Sequence, residues 1–311
     1  MAKRISKNFQ LKKLESLIIP IDKLTNVIFD IEKQDAEEII ENRKLDITTP
    51  IIVTRPKDSN GNDIPTTPFD KLIFWIALSE QHAGNSCVSH TRIFHSLGGG
   101  ENFNHAYNVK AAIIDSLRKL RTTNLHVDLT ALTSQFKSYK KAIEELLNTD
   151  IDGKSVILED SLLPSKSVTA SINGKISDGV ICFHDFSILL TIAEMKKQIV
   201  YCDPALLDVP NLRCTVQNLS FKGFLLERIL KIKGSLVSNR KRVQKLNNSI
   251  LFDSIFSKCG LADEGRNRKA EFRAIISKIL THFVNQNLIS SFQFTKKDGK
   301  FYSIVIDFNI F

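Results

Sequence analysis

Methionine, tryptophan and tyrosine are scarce in this sequence, at two, one and four residues, whereas phenylalanine is abundant at twenty. Its aromatic interior must therefore come mostly from rings that carry no hydrogen-bonding group. No apolar run approaches the roughly 18 residues of a membrane helix, so no membrane span is expected. The start, Met1 to Lys7, has basic residues without an apolar segment behind them, which points to the cytoplasm. The five cysteines (Cys87, Cys182, Cys202, Cys214, Cys259) are odd in number, scattered and never spaced C-x-x-C, so they read as reduced core thiols rather than a disulfide framework or zinc site.

Catalytic signatures are lacking too. Gly153-Lys154-Ser155 resembles the end of a phosphate-binding P-loop, but Asn148 stands where its first glycine belongs, and Val156-Ile157-Leu158 reads as strand where a helix is required. Gly98-Gly99-Gly100 has no dinucleotide-loop flanks and reads as a helix stop. The seven histidines include no His-x-His pair, and the acidic residues form no catalytic cluster. Neither catalysis, cofactor nor metal is expected.

What is present is positive charge. The 311 residues carry a formal net charge of +9, which draws a chain toward polyanions, and with no basic amphipathic anchor in view nucleic acid is a better match than membrane. The length suits two domains. Residues 1 to 65 read as an extension and linker, with a helix-like segment from Asp35 to Asn42, a β-like Ile51 to Thr54 and a turn-rich stretch from Pro56 to Pro65.

After the linker the pattern is helix, short capped helix, long helix, hairpin, and it occurs twice. Thr67-Pro68 opens a helix over Phe69 to Ala83; Ser89 caps a second to Leu97; a third runs from Asn104 to about Arg121. Leu125 to Leu129 is a candidate wing strand. A polar helix (Tyr139 to Leu147), a strand (Ser155 to Leu158), a hairpin at Asn173-Gly174 and a helix from Phe186 to Lys197 follow. Pro204 to Pro210 reads as a crossing between domains. The second round comprises helices over Phe221 to Lys233, Ser249 to Lys258 and Asn267 to Asn285, then a hairpin from Phe292 to Phe308 turning at Asp298-Gly299. The expected fold is α+β, mainly helical: two winged-helix domains in tandem, at 66–210 and 211–311.

The exposed faces suggest where a polyanion would sit. On the last long helix Ala270, Ala274 and Ser277 are flanked by Arg266, Asn267, Arg273 and Lys278, small enough in the middle to approach a groove and cationic at the margins. Its opposite number in the first domain offers Asn104, Asn108 and Arg118, with Asp115 on the same face. Lys296, Lys297 and Lys300 mark the final hairpin tip, and Arg240 and Arg242 belong to a basic run beginning near Arg228. Each pattern taken alone is also that of a solvated amphipathic surface.

The chain resembles the replication initiators of plasmids and related mobile elements, built as tandem winged helices. The resemblance lies in Thr67-Pro68-Phe69-Asp70 with Ala83-Gly84-Asn85, in Ser116 to Arg121, and in Leu225 to Lys233 followed by Asn248 to Leu251, and it covers residues 66 to 311. It implies binding to repeated double-stranded sites in an origin, opening of nearby A·T-rich duplex, recruitment of host replication proteins, and a balance between inactive homodimer and active monomer. Residues 1 to 65 and the helix near Tyr139 fall outside it. The alternatives are a winged-helix transcription regulator acting on its own promoter, and a protein-interaction module whose basic surface meets an acidic partner.

Overall fold

Thr67 accepts a hydrogen bond from the Asp70 amide while the Asp70 carboxylate accepts from the Thr67 amide, and Pro68 supplies a helical φ at the first position. This capping box starts α2 (Pro68–His82), which ends where Gly84 takes φ +85. Every residue from Phe69 to Gln81 is buried. A helix covered all round needs neighbours on every side, and the architecture follows from supplying them. The computed structural model describes residues 12–30, 36–39, 48–100, 106–172, 175–185, 187–238 and 248–308. Helix and strand are both well represented.

Beyond α2 come β4 (Cys87–Ser89), α3 (His90–Ser96) and α4 (Tyr107–Thr122). Ser89 caps α3 through the Arg92 amide, as its position predicts. The hairpin completing this unit is β7 (Ser165–Ile172) with β8 (Lys175–Phe183), and the strand order is β4-β8-β7. Between α4 and that hairpin the chain makes β5 (Asn124–Asp128), α5 (Thr130–Gln135), α6 (Lys137–Leu147) and β6 (Ile157–Ser161). The expected wing strand at Leu125 to Leu129 is therefore β5 of another sheet, ordered β2-β3-β5-β6, where β2 is Ala36–Ile39 and β3 is Thr48–Thr54. Its alternation already fits that role: Leu125 and Val127 are buried and His126 is not. The helix expected over Asp35 to Asn42 is corrected likewise. Its described residues, Ala36–Ile39, pair antiparallel with β3, tertiary pairing overriding the helix propensity of Ala and Glu.

The described part of the expected N-terminal extension is woven into the body. Strand β1 (Leu17–Pro20) is wholly buried and pairs with β9 (Ile199–Cys202), and the Ile18 amide donates to Ser79 Oγ of α2 at 2.7 Å. Helix α1 (Lys23–Asp30) brings Phe29 against Phe74, and α7 (Ile188–Met195) packs on β1. Cys87 and Cys182, neighbours across β4 and β8, are joined as a disulfide, which corrects the expectation of reduced thiols for these two. A separation of 95 residues concealed the pair. Cys202, Cys214 and Cys259 are free.

The second unit comprises, among the described residues, α8 (Val216–Ser238), β10 (Ser249–Leu251), α9 (Phe252–Lys258), α10 (Arg266–Asn285), β11 (Ser291–Lys297) and β12 (Lys300–Asp307), with strand order β10-β12-β11. The helix expected to start at Ser249 starts at Phe252, because Ser249–Leu251 pairs with β12. Asp298 and Gly299 have φ of 51° and 73°, the left-handed pair of a two-residue hairpin turn.

The two units share one core. Helix α8 crosses α2 so closely that a Cβ on Gly223 would lie 2.8 Å from the Pro68 carbonyl oxygen. Lys71 of α2 donates to Glu227 of α8 at 2.7 Å, with side chains 5% and 13% exposed. Buried Lys222 donates to the Leu97 carbonyl at 3.3 Å and to that of Leu207. The expected crossing is itself covered: Pro204–Leu207 forms a 3-10 turn with Leu206 and Leu207 buried, and His282 Nε2 of α10 donates to the Ala205 carbonyl at 2.8 Å.

Candidate nucleic-acid interface

Helix α10 has two unlike sides. Phe272, Ile276, Ile279, Leu280, His282 and Phe283 are buried, a stripe at spacings of three and four, and Ile275 packs at its edge. Arg266, Asn267, Ala270, Ala274 and Lys278 are exposed, and Arg273 and Ser277 are partly so. The first turn carries no acid and Gly265 offers no side-chain cap, so that end of the helix presents unmatched backbone N–H groups. This side holds four of the predicted residues together: Arg266, Asn267, Arg273 and Lys278.

The β11–β12 hairpin holds three more. Lys296, Lys297 and Lys300 are exposed around its turn. Lys296 Nζ lies 4.9 Å from the Phe301 ring centroid, and the Arg273 guanidinium lies 4.7 Å from the same ring. Lys297 sits 5.5 Å from Tyr302. Helix and hairpin cations thus converge on adjacent aromatic rings. Burial, and after it the charge of Arg266, lowers the Arg273 pKa from the usual arginine value, but a guanidinium stays protonated in a protein. Among the described residues, no ion pair engages Arg266, Arg273, Lys278, Lys296, Lys297 or Lys300.

The first unit is differently furnished. Asn108 and Arg118 are exposed on α4, but Arg118 Nη1 is 3.2 Å from Asp115 Oδ1, so an acid shares that face with the cation. Lys119 is bonded to Asp70 at 2.7 Å, and Lys110 is buried. Tyr107 is 58% exposed at the helix start. Asn104, Arg240, Arg242 and the Asn173-Gly174 turn lie outside the described residues. From the basic run on α8, Lys231 is bonded to Glu227 and Arg228 is exposed.

Sequence reasoning passed over Phe301 and Tyr302. A signal was available: two aromatic residues follow Lys300 directly, at positions where a solvated wing would carry polar side chains. Gly153, with φ +69, occupies a turn that leads into β6. No helix among the described residues is long and apolar enough to cross a membrane.

No protein-family model matches the chain, and no curated protein matches it. Among solved structures, the crystal structure of SeMet derivatives of domain 2 and domain 3 of RctB aligns over 90% of this chain and 93% of its own, at 12% identity and a TM-score of 0.41. A likeness at that score carries no weight for fold or function.

Proposed function

We propose that this chain is a sequence-specific binder of double-stranded DNA, built on two winged helices, that initiates replication of a plasmid or related element. It does so by binding repeats at the origin and drawing host replication proteins there. On this reading α2, β4, α3, α4 and the β7–β8 hairpin form one winged helix, with β5 to β6 inserted before its wing. The second comprises α8, β10, α9, α10 and the β11–β12 hairpin. The observation that carries the DNA-binding half is the meeting of Arg273 from the helix and Lys296 from the hairpin on one ring, beside the small-residue face of Ala270 and Ala274. A groove-entering helix with cationic margins and a lysine-tipped hairpin over the backbone is how a winged helix would engage a duplex.

The replication role rests on the sequence resemblance, which also supplies the homodimer, the host partners and a cytoplasmic setting. The protein would act by binding alone, without nuclease or ATPase chemistry. Footprinting the purified chain on its parent replicon tests both halves. Phased protection of direct repeats beside an A·T-rich stretch is the expected result. A lone protected inverted repeat over the promoter would make the chain a transcription regulator, and failure to bind any duplex at low salt would leave a protein-interaction module.

A further inference from the structure

In the last hairpin Thr295 pairs with Ser303 and Lys296 with Phe301, which leaves Tyr302 as the extra residue of a β-bulge. A bulge bends its strand and re-aims the neighbouring side chain. Here Phe301 meets Phe252 and Phe294 edge-on, each at a centroid distance of 6.2 Å, while remaining 41% exposed. The two rings fix its orientation. Arg273 approaches it from α10 and Lys296 from β11. Two cations from different elements repel one another, and flexible side chains disperse; the electron-rich face of a ring held in place attracts both.

We propose that Phe301 is a positioning residue for DNA recognition, holding Arg273 of the helix and Lys296 of the hairpin in one place so that the two elements meet the duplex as a single surface. The inference deepens the DNA-binding reading and rests on it. Side chains ordered before binding lose less rotamer freedom on contact, so the ring raises affinity without touching DNA. Its effect should fall on the specific complex, because only there must an arginine keep its aim at a base edge.

The test uses the full chain with two probes, a duplex bearing one origin repeat and a random duplex of equal length. Phe301→Leu keeps an apolar contact with Phe252 and Phe294 but removes the aromatic face. It is expected to weaken binding to the repeat about 5-fold and to lower the preference over the random duplex, whereas Phe301→Tyr binds as the unmutated protein does. In the double variant with Arg273→Ala, the further loss is expected to be smaller than Phe301→Leu causes alone, since part of the ring's effect acts through Arg273. Unchanged binding by Phe301→Leu, additive losses in the double variant, or an equal loss in Phe301→Tyr would each overturn the inference while leaving DNA binding intact. Failure of the unmutated chain to bind either probe at low salt overturns the DNA reading, and this inference with it. A measurement without substitution guards against misfolding: ring-current shifts should move the Arg273 and Lys296 side-chain resonances upfield in the free protein. Ordinary shifts there sink the proposal.

Discussion

The two units share an order of elements and differ in what separates the third helix from its hairpin. In the second, residues 286–290 suffice, and α10 and the β11–β12 hairpin lie close enough for Arg273 and Lys296 to reach one ring. In the first, residues 123–164 build two strands of another sheet and two helices before β7 begins. The cations follow suit. On α4, Arg118 pairs with Asp115 of the same helix, and Lys119 ties α4 to Asp70 of α2. On α10 Arg268 likewise pairs with Glu271, but Arg273, Lys296 and Lys297 rest on aromatic rings, which orient a cation without neutralising it. The same topology thus serves cohesion in one place and offers a charged surface in the other.

The strongest way to break this comparison is to separate the units. Burial pushes the Glu227 carboxyl up, but Lys71 and Lys231 more than offset it and hold the group below the ordinary 4.5. Glu227→Ala, which leaves Lys71 buried beside a lost partner, is expected to lower stability by about 3–5 kcal/mol, measured by urea unfolding. A depressed carboxyl contributes stability that is complete above its unfolded pKa and disappears as pH falls through the folded value, so this contribution wanes below about pH 4.5. Glu227→Gln should flatten that acid limb; an unchanged limb would place the acid sensitivity elsewhere.

Next in size is the exposed face of α10 that the proposed function sets against DNA. Arg273→Ala or Arg266→Ala should weaken specific binding by roughly 1–3 kcal/mol, read by titration against a footprinted site, and unchanged affinity in both would remove α10 from the interface. Neutralising Lys296 and Lys297 together should lower affinity for every sequence and reduce the salt slope by about two. A slope equal to that of the unmutated chain would keep the hairpin off the backbone. The smallest effect belongs to the first unit: Arg118→Ala, already paired with Asp115, should shift binding by less than about 0.5 kcal/mol. A loss larger than that of Arg273→Ala would reverse the roles assigned to the two helices.

What could be read from the residues was what short range decides. The α10 stripe follows from apolar spacing, and the Asp298-Gly299 turn from a pair tolerant of positive φ. The capping box at Thr67 and Asp70 is legible for the same reason. Long-range pairing was not. Strand β5 could not announce that its partners are β3 and β6, nor Cys87 that a strand 95 residues away would bring Cys182 opposite. The buried Lys71 and Glu227 look like ordinary surface charges until α2 and α8 cross. On the candidate surface, the cations announced themselves by composition, but the ring that gathers two of them depends on a bulge at Tyr302, a feature set by pairing rather than by any local signature.

The covered segment Pro204–Leu207, with its carbonyl at Ala205 gripped by His282, has a mechanical corollary. A pair of heads strung on a loose tether would tolerate extra base pairs between the stretches each one grips, simply by swinging apart. Here the joint is held by buried Leu206 and Leu207 and by that bond, and the two units share one core. If both units grip DNA as proposed, the gap they span would be set by the protein's own girth, and a spacer of half a helical turn would leave one unit facing the wrong side of the double helix.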